Sequence, residues 1–166
     1  TSAEHLGISA EISIDVDRLT DWKDSVVDQL TGGVESLCRA AGVTLVDGHA
    51  AFVDDHHARI STDDGEATLS FEYAIVATGS RPIEIPGFEP DGEYILDSSD
   101  ALELSTQPDE LVVIGAGYIG MELSTAFAKL GTDVTAVEMF DDVLPMYDDD
   151  ISRVVREQAV EYGVEF

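Results

Sequence analysis

The sequence is poor in basic residues, in cysteine and in long apolar runs, and each shortage removes a class of function. Eight Lys and Arg among 166 residues form no cluster, so nothing is available to neutralise a phosphate backbone and nucleic acid is not an expected partner. A single cysteine, Cys38, excludes an internal disulfide framework and a cysteine pair for zinc. No run approaches the roughly 18 consecutive apolar residues of a membrane-crossing helix. The opening Thr1-Ser2-Ala3-Glu4-His5 is not the basic-then-apolar start of a secretory signal. The chain therefore reads as cytoplasmic, with no membrane partner. It opens on Thr and ends at Phe166 inside what reads as a nascent strand, as a piece cut from a longer protein would.

What the sequence has in excess is acid: 35 Asp and Glu give a formal net charge of −27. In dilute buffer such a surface repels itself and opposes the compact state. The 44% apolar residues fall in clear helical and strand periods, which argues against disorder. The charge instead implies an acidic, solvated surface suited to concentrated cations, as in proteins of extreme halophiles.

Apolar positions Trp22, Val26, Leu30, Val34, Leu37 and Ala41 recur at steps of three or four and predict a helix stopped by Gly42. Gly32-Gly33 in its middle predicts either a break or a close approach of another backbone. Val43–Val46 reads as a short strand. Ala51–Val53, Ala58–Ser61 and Ala67–Phe71 read as an antiparallel meander with Asp64-Gly65 in its second turn. Tyr73–Ala77 is continuously apolar, like a parallel strand buried on both faces. A Pro- and Gly-rich loop, a short helix near Ser99–Leu104 and a linker at Gln107–Glu110 follow. Beyond Pro108 the pattern is strand (Leu111–Ile114), glycine turn, helix (Tyr118–Leu130), strand (Val134–Val137) and a second helix near Asp150–Tyr162, with Ile119, Leu123, Phe127 and Leu130 expected on the packed face of the first helix.

The glycine turn carries the chemistry. Gly115-Ala116-Gly117-Tyr118-Ile119-Gly120 has the spacing G-x-G-x-x-G between a predicted strand and a predicted helix, the context that identifies a dinucleotide-binding turn. Gly115 permits the tight turn, Gly117 admits a pyrophosphate, Gly120 lets helix pack on strand, and the helix N-terminus offers N–H donors. Glu138, 23 residues after Gly115, stands where an acid binds the adenosine ribose hydroxyls. With Asp141-Asp142 beside it, this carboxylate would repel a 2′-phosphate, which favours NAD over NADP. A glycine turn used only for packing is the alternative.

Other polar groups read more plainly. Cys38 is expected as a small packed hydrophobe rather than a reactive thiol. Asp54-Asp55-His56-His57 is expected to be a solvated hairpin turn rather than a metal cluster, and no metal site is assigned.

In this order, Leu30-Thr31-Gly32-Gly33-Val34, Ala77-Thr78-Gly79-Ser80-Arg81-Pro82 and Gly115–Leu123 resemble the dihydrolipoamide dehydrogenases, a branch of the flavoprotein pyridine nucleotide-disulfide oxidoreductases. The resemblance spans nearly the whole chain. It implies an α/β protein with two dinucleotide-binding domains, both incomplete: residues 1–107 the C-terminal part of an FAD-binding domain that includes the meander, and residues 108–166 the N-terminal part of an NAD-binding Rossmann domain. By the same resemblance Thr78 and Gly79 would approach FAD, Ala50 would lie along its adenine, and Glu122 would pair with a lysine beside the flavin. Tyr118 matches a position where some relatives place a tyrosine over the nicotinamide pocket. For Gly79 and Glu122 the structural alternatives are a strand-end glycine and an acid stabilising a helix N-terminus.

The implied activity is oxidation of dihydrolipoamide, with electrons passing through FAD to NAD. The implied partners are a lipoyl carrier protein or 2-oxoacid dehydrogenase complex and a second copy in a homodimer. The family's closely spaced redox cysteines, first flavin turn and catalytic histidine match nothing here, and none of His5, His49, His56 or His57 fits the histidine's role. No catalytic residue is assigned within these 166 residues. Another flavin-dependent reductase, such as a soluble transhydrogenase or mercuric reductase relative, or a non-catalytic NAD-sensing module, would share the NAD turn.

Overall fold

A computed structural model describes Gly7 and residues 13–166. The Thr1–His5 opening, His5 included, lies outside the described residues. Two compact units are present, one ending at Lys23 and resuming over Pro82–Phe166, the other covering Asp24–Arg81. No helix among the described residues is long and apolar enough to cross a membrane.

Helix α1 runs unbroken over Val16–Ala40. It ends where expected: Gly42, at φ 76°, donates its N–H to the Arg39 carbonyl while Val43 donates to Cys38, so a left-handed glycine closes the last turn. Neither expectation for Gly32-Gly33 is met. The helix does not break, and a Cβ at either position would meet nothing within 4 Å. None of the helix's residues is buried. Cys38 is only half-buried, short of the packed position expected of it.

The meander forms as β1 (His49–Asp54), β2 (His57–Thr62) and β3 (Gly65–Ser70), an antiparallel sheet in that order. Its second loop is Asp63-Asp64 rather than Asp64-Gly65, since Thr62 pairs with Gly65, whose φ of 133° opens β3. The first turn, Asp54–His57, is polar and exposed, with His56 Nδ1 3.2 Å from the Phe71 carbonyl oxygen. The Asp54 carboxylate accepts the His56 N–H at 2.8 Å and lies 2.8 Å from His57 Nδ1. The His56 hydrogen bond first, then His57, holds that carboxyl below its usual range.

Two predicted strands do not form: Val43–Val46 and Tyr73–Ala77 lie outside any strand or helix. A strand buried on both faces needs neighbours on both sides, and Ile75, 94% exposed, has none among the described residues. Composition marked these segments for burial, but extended chain becomes a strand only when another strand takes its hydrogen bonds.

From Pro82 onward a short helix α2 (Ser98–Leu102) is capped by Asp97, whose side chain accepts from Ser99 and Asp100 N–H while Asp100 returns a bond to the Asp97 N–H. Then come β4 (Glu110–Ile114), α3 (Tyr118–Leu130), β5 (Asp133–Val137) and α4 (Asp149–Glu161). Strands β4 and β5 pair in parallel, and Glu165 bridges to Thr135 on the other side of β5. The resulting order, third strand, β5, β4, is that of a doubly wound half-sheet. The linker is tied down rather than loose: Gln107 Nε2 donates to the Leu130 carbonyl at 2.9 Å, and Thr132 Oγ1 donates to that of Pro108 at 2.8 Å.

The core lies here, built from Ala116, Met121, Phe127, Val134, Ala136 and Ala159 with the loop residues Val143 and Leu144. The packed face of α3 keeps the expected Phe127 and Leu123 but not Ile119, and adds Met121 and Ser124. Met121, Ser124 and Phe127 are buried, while Ile119 is exposed. Gly120 shares this face, because the helix must turn that glycine toward β4, and Leu123 and Ser124, three and four positions on, follow it inward.

Candidate functional site

The turn between β4 and α3 is shaped by two successive peptide planes. In a trans peptide the carbonyl and N–H point in opposite directions. The Ala116 N–H donates to Glu138 Oε2 at 2.8 Å, so the Gly115 carbonyl is directed the other way, against Gly120. A Cβ on Gly120 would sit 2.0 Å from that oxygen, a separation no side chain can occupy. Gly115 itself holds φ at 100°, a region that favours glycine. Two of the three glycines are thus required by the backbone alone.

Gly117 is different. Its φ of −71° is open to any residue, and a Cβ there would meet nothing within 4 Å. It caps α3 without a side-chain hydrogen bond, leaving the first-turn N–H groups turned to open space, as an anion site at a helix N-terminus requires. Tyr118 and Ile119 begin the helix on the exposed side.

Glu138 follows β5 directly and reaches back to the turn. Its Oε1 accepts the Met139 and Phe140 N–H groups at 2.8 and 3.1 Å. Burial pushes this carboxyl upward, but hydrogen bonds from Ala116, Phe140 and Met139 outweigh it, and the group lies below the usual glutamate range. A carboxylate offers about four acceptor positions, so Oε2 keeps one beyond its bond from Ala116. Gly120's close packing, the open space at Gly117 and this spare acceptor fit a dinucleotide.

Two participants have no motif to mark them. Leu144 N–H donates to the Ala116 carbonyl at 2.8 Å, and Val143 and Leu144 are buried in the core beside it. Leu144 is the one non-glycine described residue with positive φ, at 51°, a conformation that costs an L-residue about 1–2 kcal/mol. The only signal in the sequence is an apolar pair before Pro145 in an acidic loop.

Of the flavin-side candidates, Gly79 has φ 77°, so its backbone does require glycine; Thr78 and Gly79 lie outside any helix or strand, and Ala50 sits in β1 opposite Ile60. Gly48 beside it has a packing reason to be glycine, since a Cβ would lie 2.5 Å from the Ser61 carbonyl. Glu122 is exposed on α3.

Among curated proteins, a dihydrolipoyl dehydrogenase of Haloarcula marismortui is 59% identical over 99% of this chain and 35% of its own length. That of Haloferax volcanii is 56% identical with the same coverage. The chain thus spans about a third of the length of the curated relatives it matches. Among solved structures, LpdA from Mycobacterium tuberculosis superposes with a TM-score of 0.85 at 29% identity, over 99% of this chain and 37% of LpdA. The flavoprotein disulfide reductase RclA from Escherichia coli reaches 0.74 at 28% identity, over 89% of this chain and 34% of RclA. Both haloarchaeal relatives agree with the reading of the acidic surface, and residues 2–166 match the model of the pyridine nucleotide-disulphide oxidoreductases: the chain belongs to that family.

Proposed function

We propose that this chain is the central part of a dihydrolipoamide dehydrogenase, with residues 1–107 contributing to an FAD-binding domain and residues 108–166 opening an NAD-binding domain. The observation that carries the NAD half is the joined geometry of Gly115–Gly120 and Glu138, closed by a 2.8 Å hydrogen bond. That relatives above 50% identical across the chain are dihydrolipoyl dehydrogenases supports the substrate. Exposed apolar residues on α1 and over Tyr73–Ala77 support a larger fold that covers them.

In this reading Gly117 and the N–H groups at the start of α3 receive the NAD pyrophosphate, and Ala116, Tyr118 and Ile119 form the rest of the turn's wall. Glu138 accepts from the ribose hydroxyls and rejects a 2′-phosphate. Thr78, Gly79 and Ala50 lie along FAD, and Glu122 pairs with a lysine outside this chain. With both cofactors bound, the chemistry supplied is oxidation of a dithiol through FAD with hydride transfer to NAD. The protein would act as a cytoplasmic homodimer on dihydrolipoamide carried by a lipoyl protein or a 2-oxoacid dehydrogenase complex.

The test is an assay of the purified full-length flavoprotein in high salt with dihydrolipoamide and either NAD or NADP. Rapid NADH formation and weak NADPH formation are expected. A protein that leaves dihydrolipoamide untouched but reduces mercuric ion, or exchanges hydride between nicotinamides, would overturn the substrate assignment.

A further inference from the structure

The turn's second peptide plane is held from a place the motif does not include. Ala116 C=O and Gly117 N–H belong to one trans peptide, and the described residues contain no cis bond. The carbonyl end is buried and accepts the Leu144 N–H at 2.8 Å. The N–H end must therefore point away from the core, to the open side of Gly117. The donor that holds the carbonyl is supplied by a leucine in a left-handed conformation, immediately before a proline. Such strain persists only where the surroundings enforce it, and it gathers at sites where geometry matters. Here the enforcement is visible: Val143 and Leu144 are locked into the core, and Glu138, six residues earlier, grips the preceding peptide plane.

We propose that Leu144 is a positioning residue for dinucleotide binding: its N–H fixes the Ala116 carbonyl and thereby aims the Gly117 N–H at the pyrophosphate. The inference rests on the NAD reading above and adds to it a residue that touches no part of the ligand. The segment from Glu138 to Leu144 acts as a strap across the turn. Glu138 orients the first peptide plane and Leu144 the second, so the anion-binding conformation is set before ligand arrives. Preorganisation of this kind raises affinity by removing the cost of ordering the turn on binding.

Side-chain replacements of nearly equal volume separate positioning from packing. Leu144→Met keeps an apolar side chain with no branch at Cβ, whereas Leu144→Ile keeps the volume but adds a β-branch that strongly disfavours positive φ. In the full-length flavoprotein, binding of NADH, ADP-ribose and adenosine is measured by titration, with bound-flavin absorbance reporting an intact fold. Leu144→Ile is expected to weaken NADH and ADP-ribose binding about tenfold, the size of the left-handed penalty, and to leave adenosine nearly unchanged. Leu144→Met is expected to bind all three as the unmodified protein does.

Equal losses in the two variants, or an equal loss for adenosine and ADP-ribose, would reduce Leu144 to a packing residue and overturn the proposal. Should Leu144→Ile fail to retain flavin, an ester in place of the Leu144 amide removes the N–H while keeping the leucine side chain. The same selective loss is then expected, and undiminished ADP-ribose binding would overturn the proposal. If the unmodified protein binds neither NADH nor ADP-ribose, the NAD reading itself falls; if it binds both and Leu144→Ile binds them equally well, only the positioning role falls.

Discussion

At Glu138 one carboxylate accepts three backbone N–H bonds and retains one acceptor for ligand. Glu138→Ala is expected to weaken NAD binding by about 1–3 kcal/mol, the cost of losing hydrogen bonds to a charged group. A titration with NADH checks this, and unchanged affinity would contradict it. The same group predicts a pH dependence. Its folded value lies below its unfolded one, so it contributes stability that is present above the ordinary glutamate range and lost as pH falls through the depressed value. The difference in urea stability between the protein and Glu138→Gln should therefore hold steady through neutral pH and close only below that range. A gap that closes on the alkaline side would refute the assignment.

At the scale of the β4-turn-α3 element, the glycines divide by physical cause. Gly120→Ala forces a Cβ onto the Gly115 carbonyl, 2.0 Å away, and backbone cannot yield as a side chain does. A loss of at least about 1–3 kcal/mol in unfolding free energy is expected, as for overpacking in a core. Gly117→Ala enters open space at a permitted φ, so its unfolding midpoint should stay within experimental error of the original. NAD binding should nevertheless fall sharply, because the added methyl occupies the side from which the pyrophosphate approaches. Urea unfolding and NADH titration of the two variants, run side by side, should give opposite rankings. Parallel losses in both assays would show that the turn is merely structural.

For the whole molecule, charge and completeness govern behaviour. If every basic residue were paired, 27 carboxylates would remain uncompensated, and the pairs present, such as Arg153 with Asp150 at 3.1 Å, are exposed and individually weak. The urea midpoint should therefore rise with KCl well beyond the concentrations that screen ordinary surface charges. An identical midpoint in dilute buffer and molar KCl would exclude this. The 166-residue chain by itself should show no dihydrolipoamide dehydrogenase activity, since one cysteine cannot form and break an internal disulfide. Exposed apolar α1 and a half-sheet that stops at Glu165 should also leave its NAD affinity low. Steady NADH formation by the isolated segment with added FAD would require a different mechanism.

Local rules in the sequence determined the helices of the second half, the meander, the glycine stops and the glycine turn joined to Glu138. Each depends on periodicity or on glycine's backbone freedom, which neighbours a few residues away suffice to express. Tertiary structure decided the rest. Tyr73–Ala77 carried the composition of a buried strand, but pairing is a relation between segments, and no described segment supplies it. Phe127 and Leu123 could be read onto the packed face of α3 from their spacing, but that Met121 and Ser124 rather than Ile119 turn inward could not, because the Gly115–Gly120 approach is a backbone contact. Leu144 was invisible for the same reason: its contribution is a main-chain N–H, which every residue but proline carries, and only the folded loop brings that N–H to the Ala116 carbonyl.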